Sequence, residues 1–455
     1  MNRAGWEDQK VLVVGLGVSG YAAARVLLSL DARVKVTEQQ STPETEQRAS
    51  WLRDKGAEVE LGSHELAAGE HDVAVISPGI APTSDVLKSL SAKGVRQISE
   101  VELAFSIASC DFLAVTGTNG KTTTTSLLAR MLQEAGVPSL AAGNIGHPLA
   151  DAAGTVPSGG AIAVEVSSFQ LAAIDTFRPR VAVVLNVAED HTDWHGTFRS
   201  YVDAKARITE NQQPEDVLVF NAEDPDAREI AGRSRARTVP FSHRVRPPDG
   251  AGPEDGYVCH RDKKVIPLGD VVLPGTAGLE DTIAACAAAL EYGLDEKAVA
   301  SAIASFSPLP HRLQVIAEVD GVLYVDDSKA TNPHATIAAV KGFEDVVLIA
   351  GGRSKGIDLS VLATSVPPVR GVVALGEARD EVASVFKDLV PVETAGSMAE
   401  AVRLARDLSN GKGSVLLSPG CASLDMFASY AARGDAFVEE VRRLIEEGGA
   451  RGKPD

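Results

Sequence analysis

Two glycines, a lysine and a run of hydroxyls in close order mark the first place where this chain could do chemistry. Gly117, Thr118, Asn119, Gly120, Lys121, Thr122 and Thr123 follow a short apolar run, Asp111 to Val115, and lead into a helical pattern from Lys121 to Ala135. In such a strand, loop and helix, glycines let backbone N–H groups close on phosphate oxygens, and the helix N-terminus adds its positive end. Lys121 can reach terminal phosphates, and the Thr122 hydroxyl is placed to ligate magnesium. The usual phosphate-loop spacing calls for glycine at position 115, where Val115 stands. That departure points to a subclass of the motif.

Further polar clusters stand where apolar runs end. Ala161 to Glu165 leads into Ser167-Ser-Phe-Gln170, and Arg180 to Leu185 leads into Asn186 to Asp193, which contains His191. Asp216 to Phe220 leads into Asn221 to Asp224. Unbroken apolar runs suit central parallel strands covered on both faces. Glu165 and His191 are therefore expected on the sheet edge that carries Thr122, as a magnesium and phosphate site. A helix over 198–211 would put Tyr201 and Lys205 on one face. Tyr-x-x-x-Lys also serves short-chain dehydrogenases. That rival reading requires a different glycine spacing and gives an ATP loop no role.

The elements that must position these groups alternate in type along the chain. Lys10 to Val14, the turn Gly15-Leu-Gly17-Val-Ser-Gly20, a helix through Leu30 and a strand from Arg33 to Thr37 form a βαβ unit. Its G-x-G-x-x-G turn suits either a dinucleotide or a nucleotide sugar, and Glu38 stands near an acidic ribose-binding position. Asp72 to Ile76 reads as a strand ending in Ser77-Pro-Gly79, and Ser99 to Ala108 as a linking helix. Ser242 to Tyr257 reads as a surface loop, with short strands flanking Asp262-Lys-Lys264. Gly278 to Tyr292 reads as a packed helix. Ser307-Pro-Leu-Pro310 reads as a hinge. After it, Leu313 to Glu318 and Val322 to Asp326 are expected to pair around Asp320-Gly321. A dense polar run, Asp326-Asp-Ser-Lys-Ala-Thr-Asn332, follows directly. Val346 to Ala350, Val369 to Leu375 and Ser414 to Leu417 complete a third α/β set.

At 455 residues the chain exceeds one core, and 44% hydrophobic content is that of a globular protein. A net charge of −18 argues against a nucleic-acid or anionic-membrane surface. It leaves room for small anions, which need only local donors. Cys110, Cys259, Cys286 and Cys421 are too scattered for a zinc site and read as reduced thiols of a cytoplasmic protein. The first residues have no apolar leader, and no run is long enough to span a bilayer.

Together these residues resemble the Mur ligase family, the ATP-dependent amide ligases of peptidoglycan precursor synthesis. Thr116-Gly-Thr-Asn-Gly-Lys-Thr122 is similar to that family's ATP loop. Ser167 to Gln170, Asn186 to Asp193, Asp326 to Asn332 and Cys421 to Asp425 resemble its D-glutamate-adding branch. The resemblance implies an α/β fold of three domains: a Rossmann-like UDP-sugar domain over 1–106, a P-loop ATPase domain over 107–308, and a Rossmann-like amino-acid domain over 309–455. It implies that Val18, Ser19, Thr37, Ser77, Pro78, Gly79, Asn144, Ser167, Gln170 and His191 hold the uridine-linked substrate. Arg312 and Asp327 would join the phosphate loop in holding ATP. Thr331, Lys355, Ser423, Leu424 and Tyr430 would receive D-glutamate. Thr122, Glu165, His191 and a carbamylated Lys205 would hold one or two magnesium ions, and Lys121, His191, Lys205 and Lys355 would serve catalysis. It also implies a cytoplasmic monomer that adds D-glutamate to UDP-N-acetylmuramoyl-L-alanine through an acyl phosphate, without nucleic acid or membrane insertion. Sibling ligases, folylpolyglutamate-type ligases and a non-catalytic nucleotide sensor are the neighbouring readings. Three positions depart from the family pattern. Gln314 replaces a common carboxylate, Asp281 and Ala284 stand where two asparagines usually face adenine, and Val36 stands where an aspartate would fit.

Overall fold

The computed structural model describes residues 5–307, 309–354 and 356–447, so Pro308 of the expected hinge and Lys355 lie outside the described residues. By contact the chain divides into two compact units. One comprises Met1–Val187, Trp194–Asp270 and Asp281–Ala304; the other comprises Ala188–Asp193, Val271–Glu280 and Ser305–Asp455.

The first unit contains two sheets. β1 (Lys10–Val14), β2 (Arg33–Glu38), β3 (Glu58–Leu61), β4 (Val73–Ile76) and β5 (Arg96–Ser99) form the first, in the order β3-β2-β1-β4-β5. All its pairings are parallel. The second sheet is built from β6 (Asp111–Thr116), β7 (Ser139–Gly143), β8 (Ala161–Glu165), β9 (Val181–Val184), β10 (Val217–Asn221), β11 (Arg237–Phe241), β12 (Ala251–Glu254), β13 (Tyr257–His260) and β14 (Lys263–Pro267). Its order is β14-β13-β12-β11-β10-β9-β6-β8-β7, parallel except for the β12-β13-β14 meander. β8 and β9 are buried along their whole length, as their unbroken apolar runs demand.

The second unit holds β15 (Gln314–Val319), β16 (Val322–Asp326), β17 (Val346–Gly351), β18 (Val369–Leu375), β19 (Val392–Ala395) and β20 (Ser414–Leu417), ordered β15-β16-β20-β17-β18-β19. β15 pairs antiparallel with β16, and Asp320 and Gly321 both take positive φ at the turn between them. Two consecutive left-handed residues match the twist of a two-residue hairpin, which is why Asp-Gly foretold it. Among the described residues, no helix is long and apolar enough to cross a membrane.

Three expectations need correction. The stretch 242–257 is not all loop: Ala251–Glu254 is a strand, pairing with β13 despite Pro253. β12 pairs with β11 only at Ala251, so at Pro253 the strand runs on as an edge on that side, where a missing N–H costs the ladder nothing. The helix expected over 198–211 ends at Ala206 and tightens into a 3₁₀ turn. Beyond that turn, the Asn211 and Gln212 amides donate to the carbonyls of Asp175, Phe177 and Pro179, which draws the chain off the helix axis. The packed helix begins at Gly275 rather than Gly278.

The first unit's two sheets are tied by the helix Glu100–Ile107. Ser99 caps it, accepting from Glu102 N, and Trp6 Nε1 donates to Ser106 Oγ at 3.1 Å. Glu102 is buried, and its carboxylate receives the backbone N–H groups of Asp175, Thr176 and Phe177 at 2.8, 2.7 and 2.9 Å. Phe177 in turn stacks edge-on with Phe105 and Phe112. Three backbone N–H groups, that of the buried Phe177 among them, depend on one buried, charged acceptor, and bonds to a charged group are the stronger kind. Glu102→Ala should therefore lower stability by about 3 kcal/mol or more. The check is the urea midpoint of the first unfolding transition, which should fall clearly; an unchanged midpoint would refute the account.

Candidate functional site

The phosphate loop leaves β6 in the middle of the second sheet, between β9 and β8. Val115 is fully buried and pairs with Glu165 and Val183, so position 115 belongs to the strand and the turn begins two residues later. That placement explains why no glycine is needed there. The loop is braced from β9's end. Thr118 N donates to Asn186 O at 2.8 Å, and Asn119 N to Asn186 Oδ1 at 2.8 Å. Lys121 Nζ lies 3.0 Å from both Gly117 O and Thr118 O. Gly120 caps the helix Lys121–Glu134 in a left-handed conformation.

The neighbouring strand end carries the expected acid. Glu165 closes β8, is 2% exposed, and accepts from Asn144 Nδ2 at 3.0 Å through Oε1. Its Oε2 is buried with no hydrogen-bond partner among the described residues. An acid in that state has donors for only one oxygen, and a cation is the natural complement. Ser167 and Gln170 form a capping box just beyond, so their polar atoms bond one another first.

Tyr201 and Lys205 are both buried against the loop rather than beside the glycine turn of the first sheet. Tyr201 Oη is 3.1 Å from Thr118 Oγ1, and Lys205 Nζ donates to Gly117 O at 2.6 Å and sits 4.5 Å from the Tyr201 ring centre. A dehydrogenase pair would face a dinucleotide; this pair faces the phosphate loop. His195, which the sequence reading passed over, stacks on Phe169, meets Tyr201 edge-on, and lies 2.9 Å from Ser168 Oγ. Spacing alone offered no signal for it.

In the first sheet the structure brings together the glycine turn after β1 and Ser77 after β4. Ser77 Oγ donates to Gly15 O at 3.3 Å, and a β-carbon on Gly15 would lie 2.7 Å from that hydroxyl. Val18 is 56% exposed at the head of the next helix. Ser19 faces the Glu100 carboxylate, whose burial pushes its pKa up to about 7. Glu38 accepts from Leu16 N at 2.7 Å and Gln40 N at 2.9 Å, so it holds the turn itself. The Thr37 hydroxyl is fully buried and bonds Ser63 O at 2.7 Å.

The second unit gathers the polar run after β16. Asp327 accepts from Ser418 Oγ at 2.9 Å and Leu313 N at 3.3 Å; burial pushes its carboxyl up to about 7. Arg312 stands between His311 and Leu313, both with positive φ. Gln314 supplies what the departure from a carboxylate leaves possible: its Oε1 accepts from His311 N at 3.1 Å. Tyr430 has Lys329 Nζ 3.7 Å over its ring, Ser423 is buried, and Leu424 is 61% exposed. Arg433 was missed from sequence. Fully enclosed, it donates to Ser328 Oγ and O at 3.0 and 2.8 Å and to Cys421 O at 3.1 Å, joining the two polar loops. His191 groups with this unit, in the segment Ala188–Asp193, whereas Thr122, Glu165 and Lys205 belong to the first. Within the second unit, Asn332 Nδ2 donates to Asp190 Oδ2 at 3.4 Å, and His191 N to Asp190 Oδ1 at 2.9 Å.

Comparison with known proteins gives three consecutive family matches. Residues 9–99 match the Mur ligase MurD-like N-terminal domain, 115–250 the Mur ligase middle domain, and 311–421 the Mur ligase glutamate ligase domain. The chain is 40% identical over 445 residues to the UDP-N-acetylmuramoylalanine–D-glutamate ligase of Geobacillus kaustophilus, covering 96% of this chain and 98% of the relative. It is 41% identical over 447 residues to the ligase of that name from Frankia casuarinae, with 96% and 94% covered. Among solved structures, the UDP-N-acetylmuramate-alanine ligase of Thermotoga maritima shares the fold at a TM-score of 0.61 and 18% identity, covering 96% of this chain and 99% of that one. The ADP complex of the MurF ligase from Thermotoga maritima does so at 0.60 and 17%, covering 98% and 99%. The phosphate loop, its bracing strand ends and the polar third sheet thus lie within full-length similarity to these enzymes, and the chain belongs to the Mur ligase family.

Proposed function

We propose that the chain is an ATP-dependent, ADP-forming ligase that adds D-glutamate to UDP-N-acetylmuramoyl-L-alanine in peptidoglycan precursor synthesis. The relatives' names supply the two substrates. The observation that carries the chemistry is Glu165, a buried carboxylate with one oxygen unmatched at the sheet edge that bears the phosphate loop. Domain limits of 1–106, 107–308 and 309–455 are part of this reading, supported by family matches that each fall inside one of them.

Joining a carboxylate to an amine in water requires an activated acyl group, because a carboxylate is a poor electrophile. In this reading the γ-phosphoryl group passes to the substrate carboxylate and ADP leaves. The D-glutamate amine then attacks the acyl carbon, phosphate departs, and the amine proton goes to solvent. Two anions must meet, so alignment and charge neutralisation decide the rate. Lys121 and the N-terminus of its helix would hold the phosphate chain. Val18, Ser19, Thr37, Ser77, Pro78, Gly79, Asn144, Ser167, Gln170 and His191 would hold the uridine-linked substrate. Arg312 and Asp327 would hold the adenosine portion, and Thr331, Lys355, Ser423, Leu424 and Tyr430 the incoming amino acid.

The residues fit magnesium. Among the described residues no three His, Cys, Asp or Glu side chains form a cation cage of their own. Glu165 would therefore need Thr122, His191, phosphate oxygens and a modified Lys205 to complete a site. Magnesium would supply positive charge between the carboxylate and the phosphate. An ammonium cannot ligate a cation, so we propose that Lys205 works as a carbamate, an anion formed by adding CO₂ to its amine.

Two outcomes test this reading, and a third tests the burial of Asp327. Phosphate release should require UDP-N-acetylmuramoyl-L-alanine and D-glutamate together; release with L-amino acids in its place would reject the substrate. Lys205→Ala should lose about a hundredfold or more in kcat, on the scale of a lost charge-stabilising group, and recover in part with added short carboxylates. Wild-type activity in that variant would end the carbamate proposal. Asp327 provides the third, through linkage. Its carboxyl titrates near 3.8 unfolded and about 7 folded, so the folded state holds the proton more tightly and stability falls as pH rises between those values. Asp327→Asn should narrow the drop in melting temperature between pH 5 and pH 7.5, and an unchanged drop would contradict the assignment.

A further inference from the structure

Asp281 lies in the helix Gly275–Tyr292 and is 8% exposed. Its carboxylate is packed onto the phosphate loop. A β-carbon built on Gly120 would collide with Asp281 Oδ1 and lie 3.0 Å from its Cγ. Gly120 is the N-cap of the helix Lys121–Glu134, and its φ is +82°. The first N–H groups of a helix lack internal partners, and together with the helix dipole they favour a nearby anion. The chain thus sets a carboxylate of its own against the turn that would grip phosphate. An amide of the same size would fill that space without charge, so the carboxylate's distinguishing contribution is electrostatic.

We infer that Asp281 sets the nucleotide affinity of this loop by charge. Its carboxylate and the phosphate chain draw on the same positive helix end and repel one another. Nucleotide without a divalent cation is therefore held weakly, and magnesium, by offsetting part of the phosphate charge, restores binding. The effect is a selection for metal-complexed nucleotide, made before any chemistry. It concerns the phosphate end of the ligand rather than recognition of the base. The inference rests on the assignment of ATP to this loop in the ligase reading.

The test is calorimetric titration of the intact protein with ADP, once in excess EDTA and once in excess magnesium, for wild type, Asp281→Asn and Asp281→Ser. Circular dichroism establishes that each variant is folded, and the two replacements differ in size but share the loss of charge. Both should bind ADP in EDTA roughly ten- to a hundredfold more tightly than wild type, the scale of one unit charge acting across several ångströms in a partly screened site. With magnesium the gain should be much smaller, so the ratio of the two affinities shrinks. Equal affinities in wild type and variants under both conditions would overturn the inference. So would variants weakened only in magnesium, since Asp281 would then be holding the cation. A wild type that binds no ADP under either condition would instead fail the ligase reading, and the inference with it.

Discussion

Glu165 is held by two demands that pull in opposite directions. The apolar run before it must be buried, because β8 is covered on both faces, and this carries the carboxylate inside with the strand. A buried carboxylate must be matched on both oxygens, and Asn144 matches only one. Much of the surrounding structure can be understood as keeping the other oxygen available while preventing collapse onto it. Asn144 is fixed by its own backbone, its N–H donating to Glu165 O at 2.9 Å. The unmodified amines of Lys121 and Lys205 both donate to Gly117 O rather than to the acid. A lysine paired directly with Glu165 would satisfy the acid and remove its use for a cation.

The second unit handles buried polarity differently. Its acids are provided with donors. Asp326 receives His311 Nδ1 at 2.7 Å and Ser328 N at 2.9 Å, while Asp327 receives Ser418 Oγ and Leu313 N. Arg433 is the common anchor, although burial pulls its pKa down to about 10. Three charge-assisted bonds to backbone and hydroxyl oxygens offset part of that desolvation. The result is a set of buried polar groups held in fixed directions by one another. The first unit leaves a buried carboxylate oxygen open at Glu165; among the described residues of the second, every buried carboxylate oxygen has a partner.

The sequence made the strand ends legible because parallel strands covered on both faces are read from unbroken apolar runs, and those of the second sheet that lead to Glu165, Asn186 and Asn221 ended in polar clusters. The edge strands were harder. Glu58–Leu61, Arg96–Ser99 and Val392–Ala395 are short and carry charged or polar residues, as exposed sheet edges do, so they look like loop. Arg433 and His195 were invisible for a different reason. Each acts through partners distant in the chain, Ser328 and Cys421 for one, Phe169, Ser168 and Tyr201 for the other. Local spacing says nothing about such contacts. Glu38 was legible as an important acid near the glycine turn, but its engagement with Leu16 N follows from the curl of the turn and not from its type.

The acidity of the whole chain raises a question of balance, since it carries a net charge of −18 and its proposed substrates are polyanions. The resolution lies in range. At physiological salt the Debye length is about 8 Å, so exposed carboxylates farther away are largely screened from a ligand at the loop. Much of the surface charge is also locally paired, as in Arg199 with Glu229 and Arg178 with Glu215. In the proposed reading, what a phosphate would meet at contact distance is a helix N-terminus, the loop and Lys121, with Asp281 as an opposing charge packed on the loop. Binding would then be governed by a handful of oriented donors within a few ångströms rather than by the global charge. An acidic nucleotide-binding protein is consistent on these terms only if its phosphate loop is built from short-range, preoriented groups, and the bracing of Thr118 and Asn119 by Asn186 provides that construction.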